Sequence, residues 1–137
     1  MYKILLPLII VNIFLFNCEE KIVSQCEQAV SEQKTDSLTT YEDIQTNIFN
    51  PNCISCHAGA TPSGGLDLSA DVSYENLINV ESNNSSYKRV VPCESENSYL
   101  YISLEGESAP VMPPSGKLND ARIDSVAAWI DRGAIKY

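Results

Sequence analysis

Histidine is almost missing from this sequence: His57 is the only one in 137 residues. Chemistry that needs two imidazoles is therefore excluded. Basic residues are scarce, nine Lys and Arg against eighteen Asp and Glu, giving a formal charge of −9 and a pI near 4.4. Such a chain repels phosphate and makes a poor nucleic-acid binder. Long apolar runs are also scarce. The longest, Ile4 to Phe16, spans thirteen residues interrupted by Pro7 and Asn12. A comfortable helical span of a bilayer needs about 20. No βαβ pattern is visible. After Met1, the only methionine is Met112.

Scarcity throws the remaining features into relief. Met1-Tyr2-Lys3, the apolar run and then Leu15-Phe16-Asn17-Cys18 have the layout of an export signal. The end of the run resembles a bacterial lipobox, in which Cys18 would become the lipidated first residue. Phe16 and Asn17 are bulkier than that pattern favours; ordinary cleavage and, after it, an uncleaved anchor are the alternatives. Residues 1–17 are thus expected to be a signal peptide. Residues 18–38, rich in Glu, Gln, Ser, Lys and Thr, are expected to be a lipid-anchored polar tether with too little apolar surface to fold alone. Loss of residues 1–17 removes Lys3 and takes the charge to −10.

The domain, 39–137, is organised around Cys53-Ile54-Ser55-Cys56-His57. This C-x-x-C-H run reads as a covalent attachment site for haem c. Two thiols reach the two vinyl groups on one porphyrin edge, and the next imidazole lies under the iron as proximal ligand. A thioredoxin-type pair would want a βαβ setting. A zinc site would want a fourth ligand at short spacing. The remaining cysteines, Cys26 and Cys93, are distant in sequence. With Cys18, Cys53 and Cys56 assigned, Cys26 and Cys93 are expected to pair with each other. Free thiols or pairing between molecules are the alternatives. An intramolecular bridge would contribute about 4 kcal/mol on the chain-entropy account.

Helical signals bracket the motif. Thr40 is placed as an N-cap with Glu42 and Asp43 in the first turn, and Tyr41, Ile44 and Ile48 form one apolar face. Pro51 is expected to stop that helix. Ala58 to Gly65 is a loop, followed by Leu66 and Leu68, which face the same way if extended. Ser73 is expected to cap a short helix through Leu77 and Ile78, and Val80 to Ser86 to form a loop. Lys88 and Arg89 read as solvated surface, with contact to haem propionates as the alternative. Asn97 or Ser98 caps a helix carrying Tyr99, Leu100, Ile102 and Leu104.

Met112 lies in Ala109-Pro110-Val111-Met112-Pro113-Pro114-Ser115-Gly116, 55 residues beyond His57. Thioether sulfur is a soft ligand, and His/Met ligation is usual for cytochromes c. Proline restricts the unfolded loop, so less entropy is lost in fixing the sulfur. Asn119 then caps the last helix, with Leu118 and Ile123 as a hydrophobic staple. Ile123, Val126, Ala127 and Ile130 form its buried stripe, Trp129 lies beside it, and Gly133 stands at C′.

The order of these features resembles a class I cytochrome c domain, and specifically the planctomycete-type or PSCyt-like family. The sequence runs through C-x-x-C-H, Gly-Gly-Leu-x-Leu, Val-Pro before Ser-x-Leu, Met-Pro-Pro, and Trp-Ile-x-x-Gly-Ala. The resemblance covers about residues 39–136. It implies an all-α fold of three to five helices wrapped around one covalently bound haem. It also implies thioethers at Cys53 and Cys56, with His57 and Met112 as iron ligands. Cys93 departs from it, since a glycine is common after that proline.

The expected function is electron transfer by a periplasmic monohaem cytochrome, membrane-anchored as a lipoprotein and monomeric. The expected partner is a redox protein; the acidity reads first as an ordinary soluble surface, with a basic face on that partner as the alternative. The alternative is a gas-binding or sensor module in which Met112 is displaced. A dihaem peroxidase would need a second C-x-x-C-H run, and the sequence has one.

Overall fold

The computed structural model describes residues 39–137. The expectations for residues 1–38, including the signal peptide, lipidation at Cys18 and the tether with Cys26, lie outside them. Among the described residues the fold is all-α, with two isolated bridges, Ile78 with Val90 and Glu81 with Lys88, and no strand.

The first helical stretch is α1 (Tyr41–Ile44), a π-turn (Gln45–Phe49) and α2 (Asn50–Asn52) in unbroken succession. Thr40 opens it with a reciprocal capping box. Its Oγ1 accepts from the Asp43 amide at 3.1 Å, while Asp43 Oδ2 accepts from the Thr40 amide at 2.9 Å. Pro51 does not stop this helix, contrary to expectation; it sits inside the last turn. The ring lacks an N–H and crowds the preceding turn of a regular helix. The widened π-turn just before it relieves that conflict, and the chain leaves the helix only at Cys53.

A 3-10 turn (Ser63–Gly65), α3 (Ser73–Leu77), a second 3-10 turn (Ser95–Asn97), α4 (Tyr99–Glu105) and α5 (Asp120–Asp131) complete the order. Ser73 is not a cap. Val72 holds the cap position, without a side-chain bond, and α3 begins at Ser73 itself. The Ser73 hydroxyl turns inward and donates to Gln45 Oε1 at 2.6 Å. Ser98 stands at the N-cap of α4, but its hydroxyl bonds Glu94 O at 2.8 Å instead of capping. The first amides of α4 find other partners: Tyr99 donates to Lys88 O and Leu100 to Arg89 O. Asn119 caps α5 as expected, accepting from the Arg122 amide at 3.0 Å.

One core joins the two ends of the domain. Tyr41, Ile44, Ile48 and Phe49 pack with Leu68, Leu77, Val90, Leu104 and the α5 face. That face is Ile123, Val126, Trp129 and Ile130; Ala127 is only partly buried, so tryptophan takes its place in the stripe. Trp129 lies with its ring centroid 5.3 Å from that of Tyr41 and donates Nε1–H to Ile135 O at 3.0 Å. Its surroundings are therefore helix and C-terminal turn. Gly133, at φ 94°, closes α5 as the C′ residue.

Candidate haem-attachment site

The turn that carries the thiols is set by the end of the first helical stretch. Phe49, fully buried, accepts from both the Cys53 amide (2.9 Å) and the Ile54 amide (3.2 Å). Cys53 O in turn accepts from Cys56 and His57, so residues 53–57 form one closed turn. Cys53 is half-buried against the core, and burial pushes its thiol up to about 11. Cys56 is exposed. The two thiols are free, not bonded to each other. That separates them from an oxidised C-x-x-C redox pair.

The following loop folds back on the turn. The Ser63 amide donates to Cys56 O at 2.9 Å and the Leu68 amide to His57 O at 2.7 Å. Leu68 is buried and Leu66 packs on the core edge, so the two leucines do share the core side. A buried polar set holds this loop from behind. Gln45 Nε2 donates to Leu68 O at 3.0 Å, and its Oε1 receives Ser73. Sequence reasoning passed over Gln45. Its only signal is a polar residue on an otherwise apolar helical face.

His57 is half-buried, and its Nδ1 is the one buried side-chain nitrogen or oxygen among the described residues that lacks a partner. A buried polar atom is ordinarily satisfied, and a lone exception marks a place where something else belongs. The donor set fits haem c: two free thiols and an uncommitted imidazole within one turn. It does not fit zinc, because no three His, Cys, Asp or Glu side chains among the described residues converge on a metal position.

Met112 sits on the loop after α4. Its amide donates to Ser103 O at 2.8 Å, and its side chain is half-buried. Gly106 ends α4 in the left-handed conformation, φ 74°. A Cβ there would meet Val111 Cβ at 2.7 Å, so the loop closes tightly on the helix just before Met112. A cavity of about 260 Å³ on this side is lined by Glu96, Tyr101, Ile102, Glu105, Glu107 and Ser108. None of the four expected haem residues lines it, and its acidity does not suit a ligand bearing two carboxylates.

Cys93 adopts φ 68°, a conformation natural to glycine, which accounts for the glycine usual at this point of the resembled pattern. Its amide donates to Ile130 O at the end of α5. Cys93 is disulfide-bonded.

Residues 53–116 match the family described as Planctomycete cytochrome C. The match begins at the first thiol and reaches past Met112, leaving α1 and α5 outside it. No curated protein and no solved structure matches the chain. A cytochrome c domain carries covalently bound haem and is usually periplasmic or extracellular. No helix of the described residues is long and apolar enough to cross a membrane. The match, and the thiol-imidazole turn at its start, support a c-type cytochrome domain similar to the planctomycete, PSCyt-like family over residues 53–116.

Proposed function

We propose that this protein is a monohaem electron carrier of the cell envelope, with His57 and Met112 as its axial ligands. The observation that carries this is the closed turn 53–57, in which free thiols and the unpartnered His57 imidazole stand together at the start of the matched segment. Haem c, when bound, supplies an Fe(III)/Fe(II) couple that exchanges electrons without breaking bonds.

The chain's own residues do the rest. Cys53 and Cys56 provide the thioether sulfurs. The loop 63–68 fixes the backbone of the histidine turn through Cys56 O and His57 O. Rigid placement keeps reorganisation small when the charge changes. Met112, tied to Ser103 and followed by prolines, is the residue suited to close the sixth position and exclude substrate. A six-ligand iron favours a carrier over an enzyme. The acidic balance of the chain suits a partner with a basic face, and Cys18 would tether a monomeric domain to the membrane as a periplasmic lipoprotein.

The test is to purify the exported protein and record its optical and mass spectra. One covalent haem, a far-red methionine–iron band and a reversible one-electron wave are expected. A colourless protein with both thiols alkylatable overturns the reading. One haem without the methionine band, binding carbon monoxide readily, moves the protein to gas binding.

A further inference from the structure

The last turn of α4 grips the loop that carries Met112 at two points. Ser103 O receives the Met112 amide at 2.8 Å. Two residues on, the Glu105 carboxylate receives Lys117 Nζ at 2.7 Å. Glu105 and Lys117 are the residues that flank loop 106–116. The Ser103 bond fixes the chain at the methionine itself. Past the methionine, among the described residues, the main chain from Pro113 to Lys117 bonds only within its own turn, the Gly116 amide donating to Pro113 O. The Lys117 side chain is what ties this half of the loop to α4. A second carboxylate, Asp120 Oδ1, stands off at 4.0 Å and is 89% exposed, against 27% for Glu105. Leu118 enters the core one residue later, which leaves the ion pair at the neck of the loop.

The far half of the loop has room to move. Pro114 to Gly116 are exposed, and a Cβ built on Gly116, at φ 139°, would meet nothing. Groups outside a ligand set that orient a ligand carry part of its affinity for the metal. Opening the neck frees residues 113–116 to swing, and Met112 then resists through its single bond to Ser103. The pair lies at the surface, where such a bond is modest and salt screens it. Neither partner belongs to the core that joins the two ends of the domain. Losing the pair therefore loosens the loop before it loosens the fold.

We propose that Glu105 and Lys117 are positioning residues for Met112. Their ion pair latches loop 106–116 against α4, and breaking it opens the sixth position to an exogenous ligand. The proposal rests on the reading of His57 and Met112 as axial ligands.

The experiment measures carbon monoxide capture by the ferrous holoprotein, because this uncharged gas must displace the methionine. Wild type is compared with Lys117→Gln, Glu105→Gln, Lys117→Arg and Asp120→Asn. The wild-type spectra are read first: no haem, or haem without the methionine band, overturns the axial-ligand reading and the latch with it. With the band present, Lys117→Gln and Glu105→Gln should each capture the gas about threefold faster, within what an exposed pair can supply. The double variant should be no faster than either single one. Lys117→Arg keeps the charge and Asp120→Asn leaves the 2.7 Å partner in place, so both should match wild type. Salt at about 1 M should speed wild type by a similar factor and the two neutral variants little. Unchanged capture in the neutral variants and in salt, with the band intact, overturns the latch and leaves the axial-ligand reading standing. A lowered urea midpoint with unchanged capture overturns it too, since the pair then serves stability alone. Should a variant fail to fold, the salt response of wild type decides the matter.

Discussion

Leu68 donates its amide to the carbonyl of His57 across 2.7 Å, and Gln45 grips the carbonyl of the same leucine at 3.0 Å. The histidine turn is thus held through one intermediary by a side chain in the π-turn. Gln45 Oε1 also satisfies the Ser73 hydroxyl, and all three groups are buried.

Gln45→Leu keeps the volume and removes these bonds together with those to Asn50 Oδ1 and from the Tyr41 hydroxyl. The Ser73 hydroxyl keeps Tyr41 as a partner, but the buried Leu68 carbonyl loses Gln45, at a cost of about 1–3 kcal/mol. Urea unfolding should show a loss of about 2 kcal/mol, and an unchanged midpoint would mean that water replaces the amide.

Trp129 fills the seam between α1 and α5 at 2% exposure. Trp129→Ala should lower the unfolding free energy by about 3–5 kcal/mol. Tyr87→Ala, at an exposed position, should stay within about 0.5 kcal/mol of wild type. Equal effects in thermal unfolding would contradict the assignment of the core.

Gly106→Ala introduces a methyl at φ 74°, directly against Val111. The strained cap costs about 1–2 kcal/mol, and Val111 must move, carrying Met112 with it. The far-red methionine band of the holoprotein should weaken while the haem remains attached. An undisturbed band would show that the loop absorbs the shift before Met112.

The capping box gives a pH dependence with a definite sign. Asp43 accepts the amide and hydroxyl of Thr40, which holds its carboxyl below the ordinary value. A carboxyl depressed in the folded state stabilises at pH above its unfolded value, about 3.9. That contribution is lost as pH falls through the lower folded value. Wild type should therefore exceed Asp43→Asn in urea midpoint at neutral pH, and the gap should close in acid. A gap that widens in acid would reverse the assignment.

The two thiols should differ before haem is attached. Burial pushes Cys53 up to about 11, whereas Cys56 is exposed. In haem-free chain at neutral pH, iodoacetamide should label Cys56 first. The Cys53 rate should climb with pH toward that value, as its thiolate forms. Equal rates at neutral pH would show that the turn opens freely.

Much of this was legible in the sequence because it is written locally. The thiol-imidazole run, the Asn119 cap and Gly133 at C′ each depend on residues within a few positions. Three features were not legible, for one reason. Pro51 continues a helix because the turn before it widens, Ser73 abandons a cap for Gln45, and Arg89 is held by carbonyls of Gly65 and Asn76, 24 and 13 residues earlier. In each case a tertiary partner outweighs the local preference. The proposed haem ligands are unequal in the same way. Residues 53–57 share one turn, whereas Met112 is positioned from α4, and no local rule fixes where that loop lies.

Arg132 donates to the carbonyl of Thr39 at 2.6 Å, across 93 positions of sequence. The start of the domain therefore lies beside the end of α5. A short linker could splice the Tyr137 end to Thr39, and the chain could be reopened at an exposed loop such as the one near Asn84. Such a rewired polypeptide would keep the core that joins the two ends of the domain, so the fold does not depend on the order in which its helices are strung.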